Sequence, residues 1–190
     1  DKFRVKEKFC FFSKKRNAGK LIWFHGSSVG EIMSIIPIIK KYETDKSINK
    51  ILITSSTLSS SNIIEKMKFK KTIHQFYPVD HFFFSSKFLN FWKPSIAIFL
   101  ESEIWPSMFK SIKERNIPLI LLNARITHKT FYRWSKINFF SKSIFGLIDI
   151  AYPQNDETKI FLKKLNVNNI KKIGNLKYIG NEELEDNSID

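Results

Sequence analysis

Residues 21–31 limit the possible folds more than any other part of the chain. Residues 21–24 are a short apolar run of the length and composition typical of a buried strand. The run breaks into small residues, and isoleucines then recur at helical spacing. This order predicts a strand, a tight loop and a helix. Because ligands of open α/β sheets bind beyond the carboxyl ends of the strands, we expect Ser27, Ser28 and Glu31 to lie at a binding edge.

The same alternation continues along the chain. Further strands are predicted at residues 50–54, 72–77, 96–100, 119–122, 150–152 and 170–173, with helices at residues 59–68, 81–92, 105–115, 131–147 and 156–165. Strands that alternate with helices at this spacing predict an α/β fold with a parallel sheet and helices on both of its faces. The predicted domain occupies residues 21–180, between a basic and aromatic lead-in at residues 1–20 and an acidic tail or linker at residues 181–190.

Composition narrows the class of partner. The 190 residues carry 32 lysines and arginines against 18 acids, a net charge of +14. A lysine-biased composition explains part of this excess, but the charge also favours an anionic partner such as nucleic acid, anionic lipid or a phosphorylated substrate. Cys10 is the only cysteine, which excludes an internal disulfide and a cysteine-based zinc site and fits a reducing compartment. The sequence has neither an apolar run long enough to span a bilayer nor a visible secretory signal.

Two interpretations of the loop after the first strand rest on Ser28. With Glu31, Ser28 forms a Ser-x-x-Glu capping box, which is common at helix starts. Ser28 is also the central serine of a Gly-x-Ser-x-Gly pattern that ends at Gly30, as in a hydrolase nucleophile elbow. Only about twenty mostly polar residues precede this loop, which is too few for the strands that come before such an elbow. Bases for this hydrolase would come from His74, His81 or His128.

A third interpretation makes Glu31 a general base at a sugar-transfer site. A carboxylate in the first turn of a helix is held ionised and fixed in direction by the helix dipole and by free N–H groups, which suits a base, although strong stabilisation also makes a carboxylate a weaker base. Dinucleotide-binding and Walker loops are excluded, because neither of their glycine patterns is present.

Ionisable side chains also follow predicted strands further along the chain. Glu101 and Glu103 come directly after one strand, and Arg125 follows the next. At a shared sheet edge, the two acids would lie near the carboxylate of the first loop, and neighbouring carboxylates raise one pKa and suit acid–base chemistry. Arg125 would pair with one of them or bind a phosphate or carboxylate. Asp80 is better explained as a polar strand end or helix cap, and His25 as a core histidine.

Five motifs, taken in order, resemble those of the Kdo transferases, the 3-deoxy-D-manno-octulosonic acid transferases of lipopolysaccharide synthesis. They lie at residues 23–31, 77–80, 101–106, 123–127 and 174–178. Two positions depart from the family pattern: Gly26 stands where alanine is usual, and Thr127 where serine is usual. Neither change alters an ionisable group.

The resemblance implies the N-terminal, Rossmann-like half of a GT-B glycosyltransferase, with the active site in a cleft between two domains. Such an enzyme transfers Kdo from CMP-Kdo to a lipid A precursor, with inversion and without a metal or other cofactor. The resemblance assigns the general base to Glu31 and a second acid to Glu101, which we expect to position or tune it. The remaining site residues are expected to be Ser27, Ser28, Gly30, Glu103 and Arg125.

In this family the acceptor belongs to the N-terminal domain and CMP-Kdo to the C-terminal domain. We therefore expect the donor domain to lie outside this chain and the chain alone to be inactive. The expected location is the cytoplasmic face of the bacterial inner membrane, with the protein either peripheral or anchored by a missing N-terminal segment. Anionic lipid would be contacted by Lys14, Lys15, Arg16 and the lysine- and phenylalanine-rich residues 81–93.

An alternative from a different class is a non-catalytic basic α/β domain that binds nucleic acid or anionic lipid. It predicts salt-sensitive binding to any RNA or DNA and no effect of Glu31→Gln. Because no recognised nucleic-acid motif is present, nucleic acid is not the expected partner.

Overall fold

Six strands form one parallel sheet in the computed structural model, which describes residues 4–172. The strands are Leu21–His25 (β1), Lys50–Ser55 (β2), Thr72–Phe76 (β3), Ile96–Leu100 (β4), Leu119–Ala124 (β5) and Ile150–Pro153 (β6). The helices are Val29–Thr44 (α1), Leu58–Lys66 (α2), Phe82–Trp92 (α3), Pro106–Lys113 (α4), His128–Ser135 (α5), Asn138–Phe145 (α6) and Asp156–Lys164 (α7). Within residues 4–172, none of the helices combines the length and apolar character needed to cross a membrane.

The strand order is β3-β2-β1-β4-β5-β6. The chain starts in the middle at β1, adds β2 and β3 on one side, and then returns to place β4 on the other side of β1. Such a reversal opens a crevice at the carboxyl ends of the two central strands, where doubly wound sheets bind their ligands. The loops after β1 and β4 therefore meet at this crevice.

Alternating side chains on the strands build two apolar cores, one on each face of the sheet. On β1, Ile22 and Phe24 join the core that α1 and α2 cover, while Leu21 and Trp23 join the core beneath α3, α4, α6 and α7. Burying a side chain such as that of Phe24 contributes about 1.5–3 kcal/mol to folding. The predicted α/β fold, with a Rossmann-like parallel sheet and helices on both faces, is confirmed.

Two predicted elements were wrong. The helix predicted at residues 131–147 is two helices, because Ile137 leaves the helical region at φ −117° and ψ 48°. The break lets Trp134 of α5 pack edge-to-face on Phe145 of α6, with ring centroids 5.3 Å apart. Of the strand predicted at residues 170–173, the structure describes residues 170–172, and there Ile170 makes an isolated parallel bridge with Ala151 in place of a strand.

Several predictions fall beyond the region that the structure covers. The motif at residues 174–178, the domain boundary at residue 180 and the tail at residues 181–190 lie outside the described residues.

The amino-terminal segment packs on the domain as a 3₁₀ helix, Arg4–Phe9, beside the edge strand β3. The Glu7 carboxylate, 1% exposed, accepts a hydrogen bond from the backbone N–H of Phe76 at 2.9 Å. The Arg4 guanidinium donates to the backbone carbonyl of His74 at 3.2 Å. Side chains of this helix thus hydrogen-bond to backbone groups on the outer edge of β3.

Candidate active site

The loop between β1 and α1 holds both oxygens of the Glu31 carboxylate. Ser28 is the N-cap residue of α1, and its hydroxyl accepts from the Glu31 N–H at 3.2 Å and donates to Glu31 Oε1 at 2.8 Å. The backbone N–H of Ser27 donates to Glu31 Oε2 at 2.9 Å. The capping box is present, although the carboxylate reaches the N–H of Ser27 rather than that of Ser28. Glu31 is therefore fixed in direction at the crevice.

Gly26 allows this loop to close tightly. A Cβ at Gly26 would lie 2.8 Å from Leu100 Cδ1 and 3.1 Å from Glu31 Cβ, so an alanine there would require both neighbours to shift. At Gly30, by contrast, a Cβ would meet only the Ser28 hydroxyl at 4.0 Å. The loop is therefore packed more closely around Gly26 than around Gly30.

Glu103, in the loop after β4, gathers three hydrogen-bond donors on one carboxylate oxygen. Its Oε2 accepts from the Ser27 hydroxyl at 2.7 Å, from the indole N–H of Trp105 at 2.9 Å and from His25 Nε2 at 3.2 Å. Ser27 consequently touches both acids, through its N–H to Glu31 and its hydroxyl to Glu103. Ser27 and Glu103 come together because the strand order reverses between β1 and β4.

His25 lies at the end of β1, is 0% exposed and stacks on Tyr77 with ring centroids 3.8 Å apart. Its Nδ1 is 3.0 Å from the Thr54 hydroxyl, which accepts from the indole N–H of Trp23 at 2.8 Å. Burial lowers the pKa of His25, outweighing the opposite effect of Glu103, and so favours the neutral ring. Both ring nitrogens face an acceptor, since Nδ1 also lies 3.1 Å from the Thr54 carbonyl oxygen. We assign the single ring hydrogen to Nε2, because Glu103 is the anionic one of the two acceptors. His25 was predicted as a core residue, and the prediction missed that it also orients Glu103.

The environments of the two acids push their pKa values apart. Burial acts to raise the pKa of Glu103, but hydrogen bonds from His25, Ser27 and Trp105 prevail and hold it below its usual range. Burial raises the pKa of Glu31, the negative charge of Glu103 adds to the rise, and the bonds from the two serines oppose it. The site thus combines a fixed anion with a carboxyl group whose affinity for a proton is increased, a separation typical of acid–base sites.

Glu101 occupies a strained backbone position beside this pair. Glu101, at φ 49°, and Asn123, at φ 54°, end neighbouring strands in the left-handed region. Non-glycine residues there cost of order 1–3 kcal/mol and cluster at functional sites. The charge of Glu101 is a smaller cause of the raised pKa of Glu31. Glu103 accepts directly from the Ser27 hydroxyl of the first loop, and the tuning role predicted for Glu101 remains a prediction.

Arg125 makes no ion pair with the acids that it was expected to pair with. Its side chain is exposed and makes no ion pair within residues 4–172, whereas its backbone N–H donates to the Glu101 carbonyl at 3.2 Å. The predicted pairing with Glu101 or Glu103 is therefore not found. Asp80 serves as a helix cap, as expected, because its carboxylate accepts from Ser107 N–H at 3.3 Å and Met108 N–H at 3.0 Å at the start of α4.

The hydrolase interpretation lacks its base. The Ser28 hydroxyl donates to Glu31, and no histidine within the described residues contacts it. Each histidine proposed as a base contacts a different group instead: His74 contacts Arg4 and Ser55, His81 accepts from the Phe83 N–H, and His128 pairs with Glu157. Nor do residues 4–172 contain a group of three or more His, Cys, Asp and Glu side chains placed to hold a metal ion.

Comparison with known proteins identifies the relatives of this chain. A profile of the family described as 3-deoxy-D-manno-octulosonic-acid transferase (kdotransferase) matches residues 3–179. A protein of Rickettsia bellii named 3-deoxy-D-manno-octulosonic acid transferase is 34% identical over 182 residues, which are 95% of this chain and 43% of that protein. An Arabidopsis thaliana protein, named as a probable mitochondrial 3-deoxy-D-manno-octulosonic acid transferase, is 41% identical over 132 residues, 70% of this chain and 30% of the relative.

Solved structures of low sequence identity share the fold. UDP-N-acetylglucosamine 2-epimerases from Rickettsia bellii and Neisseria meningitidis each match with a TM-score of 0.60, at 13% and 14% identity. Each match covers 90% of this chain, and 48% and 51% of the respective epimerase.

The chain spans less than half the length of these sequence relatives. Within that span, the family profile matches nearly every residue, including both loops that carry the acids. The chain therefore belongs to the 3-deoxy-D-manno-octulosonic acid (Kdo) transferase family.

Proposed function

We propose that this chain supplies the acceptor-binding side and the general base of a glycosyltransferase. The reaction is the transfer of Kdo from CMP-Kdo to a lipid A precursor, with inversion. The observation that carries this proposal is the pair of acids at the strand reversal, in which Glu31 is oriented by two serines and its pKa is raised beside the anionic Glu103.

In the proposed mechanism, Glu31 removes the proton from the acceptor hydroxyl as that oxygen attacks the anomeric carbon of Kdo. CMP leaves with the electrons of the broken bond, and attack from the opposite face inverts the configuration. A raised pKa suits this step, since a base works best when its pKa lies near the working pH. Glu103 is a poor base, because three donors already stabilise its charge. Its proposed task is to keep the Ser27 N–H directed at Glu31.

CMP-Kdo would bind to a second Rossmann-like domain, across the cleft of a GT-B enzyme. The strand reversal, which places the acids at an open sheet edge, supports this arrangement. The 43% coverage of the Rickettsia bellii relative also fits the role of one half of such an enzyme. The chain alone is therefore expected not to transfer sugar.

A lipid acceptor would place the protein at the cytoplasmic face of the inner membrane. Lys14 and Lys15 are exposed, and Phe82 and Phe83 at the start of α3 are 56% and 59% exposed. Phe88 of the same helix is fully buried, so the predicted membrane-facing segment is partly core. The exposed cations and aromatics support contact with anionic lipid.

Glu31→Gln tests the catalytic assignment. The glutamine oxygen can accept from the Ser27 N–H while its amide donates to the Ser28 hydroxyl, so the fold should be retained. In a chimera of this chain with the remainder of the Rickettsia bellii relative, we expect kcat to fall about 10²–10⁴-fold. Glu114→Gln, on the surface, is the matched control. A Glu31→Gln chimera that keeps more than a tenth of the control rate would contradict the proposal.

Lipid binding by the chain itself tests the acceptor assignment. We expect the chain to prefer vesicles that contain the lipid A precursor over vesicles of plain anionic phospholipid, at low and at high salt. Equal binding to both, lost in salt, would favour the non-catalytic basic domain, because purely electrostatic attraction is screened.

A further inference from the structure

The corner between α5 and α6 exposes apolar surface that the fold does not use. Residues 136–140 are consecutive and all exposed, and three of them are large apolar side chains: Ile137 is 50% exposed, Phe139 is 91% exposed and Phe140 is 39% exposed. Tyr132, on α5, adds a fourth at 64%. We call these four residues the corner patch. Isolated exposed apolar residues are ordinary, whereas a cluster of them indicates a binding surface.

Within residues 4–172, no residue of α5 is buried, so the outer side of this helix is not part of either apolar core. Each residue of α5 is at least partly exposed. Its inner side rests on neighbouring helices, because Phe131 stacks on Phe161 at 4.5 Å and Trp134 contacts Phe145 at 5.3 Å. None of the four corner-patch residues belongs to either apolar core of the described residues, and their exposed area is open to an external partner.

The charge around the corner patch selects an anionic partner. Residues 125–148 contain no acid and five lysines or arginines: Arg125, Lys129, Arg133, Lys136 and Lys142. Lys136 Nζ lies 4.7 Å from the ring centroid of Tyr132, and Lys110 of α4 places its Nζ 5.7 Å from that of Phe140. Cations beside exposed aromatics and an exposed isoleucine fit the boundary between lipid headgroups and acyl chains. They fit nucleic acid less well, because an isoleucine at the corner offers no ring for stacking on a base.

The corner is also connected to the candidate active site. α5 begins after Thr127, at the same carboxyl edge of the sheet that carries the acids, and Arg125 N–H bonds to the Glu101 carbonyl at 3.2 Å. A bilayer in contact with the corner would thus lie next to the helix that leaves the site.

We propose that the α5–α6 corner inserts into an anionic lipid bilayer, with Phe139 entering the acyl region and Arg133 and Lys136 binding headgroup phosphates. The proposal rests on the proposed function only in that a lipid acceptor brings the chain to a bilayer. Vesicles without the acceptor test corner insertion by itself. If the chain bound these vesicles through the corner but showed no preference for the acceptor, the proposed function would be overturned and corner insertion would stand.

The first experiment is co-sedimentation of the chain with phosphatidylglycerol-containing vesicles and with phosphatidylcholine vesicles. Phe139→Ser should weaken binding to the anionic vesicles at least about tenfold, since a buried phenylalanine contributes that much or more. Ile160→Ser, at an apolar residue of α7 that is 53% exposed, is the control and should bind like the unmodified chain. Unchanged binding of Phe139→Ser would overturn the proposal, as would a larger loss from Phe82→Ser at the start of α3.

A second measurement reports directly how deeply residue 139 enters the bilayer. A polarity-sensitive dye on Phe139→Cys should shift to the blue on anionic vesicles and be quenched by lipids brominated in their acyl chains. The same dye on Ile160→Cys should do neither. Cys10 should stay unlabelled, because it is 2% exposed and burial raises the pKa of its thiol to about 11. A dye at residue 139 without shift or quenching would refute insertion, and so would a Phe139→Ser effect on dimer formation without an effect on vesicle binding.

Discussion

Replacing Glu103 by alanine should destabilise the folded chain by about 2–4 kcal/mol, a sum built from its three hydrogen bonds. His25 is fully buried, so its Nε2 hydrogen would lose its acceptor at a cost of about 1–3 kcal/mol. Ser27 and Trp105 are partly exposed, and water can replace the carboxylate there, so each should lose only about 0.5–1 kcal/mol. The alanine variant no longer buries a charge, and this gain in stability offsets part of the upper limit of the summed loss.

Glu103→Gln is the matched variant, because its carbonyl oxygen can accept from all three donors while the charge is removed. It should cost at least about 1 kcal/mol less than Glu103→Ala. Urea denaturation followed by tryptophan fluorescence measures both free energies of unfolding. If alanine cost no more than glutamine, or less than about 1 kcal/mol, the three bonds would not constitute a structural anion site.

The unmodified chain and Glu103→Gln can also be compared as a function of pH. Since the folded pKa of Glu103 is lowered, its charge stabilises the fold above the unfolded pKa of about 4.3, and this stabilisation is lost as pH falls through the folded value. The difference in unfolding free energy between the unmodified chain and Glu103→Gln should therefore shrink below about pH 4. A difference that stays constant down to acid denaturation would contradict the assignment of Glu103 as an anion.

Two further predictions concern stability. Asp80→Ala should cost about 1–2 kcal/mol in urea denaturation, since Asp80 caps α4, whose N-cap residue Trp105 makes no side-chain bond to the backbone of that helix; a loss below about 0.3 kcal/mol would exclude capping as its role. The pKa of His74 is lowered to about 3 by burial and by the nearby Arg4 guanidinium, which donates to Nδ1 at 2.8 Å. The unfolded chain therefore takes up this proton first, and stability should fall by up to about 1.4 kcal/mol per pH unit below about pH 6.5. His74→Gln should reduce that slope, and an unchanged slope would assign the acid sensitivity to other groups.

Much of the fold was predictable because its patterns are local. The apolar run at residues 21–24 and the isoleucines of α1 are visible without tertiary information, and so is the cap at Ser28. The break at Ile137 was not predictable, because apolar residues continue through it and neither glycine nor proline marks it. Packing of α5 and α6 on different neighbours decides that break.

The position of the acids at the shared sheet edge was predictable from the sequence, whereas their contacts were not. Glu31 and Glu103 were named from their positions after strands, yet the bond between His25 and Glu103 joins residues 78 positions apart. It exists because β4 returns to lie beside β1, a strand order that periodicity alone does not reveal. Of the two roles expected for Arg125, the ion pair with an acid is not found, since a position at the shared sheet edge does not determine which way a long side chain extends; binding of a phosphate or carboxylate remains a prediction.

The amino-terminal 3₁₀ helix has a consequence for handling the protein. An uncovered edge strand presents N–H and C=O groups on which another chain can add a strand, and natural sheets guard against this. Here the side chains of Glu7 and Arg4 hydrogen-bond to such backbone groups of β3, so the edge of the six-stranded sheet is blocked by side chains. Shortening the chain at this end therefore risks aggregation through β3, although it removes neither of the two acids of the candidate site.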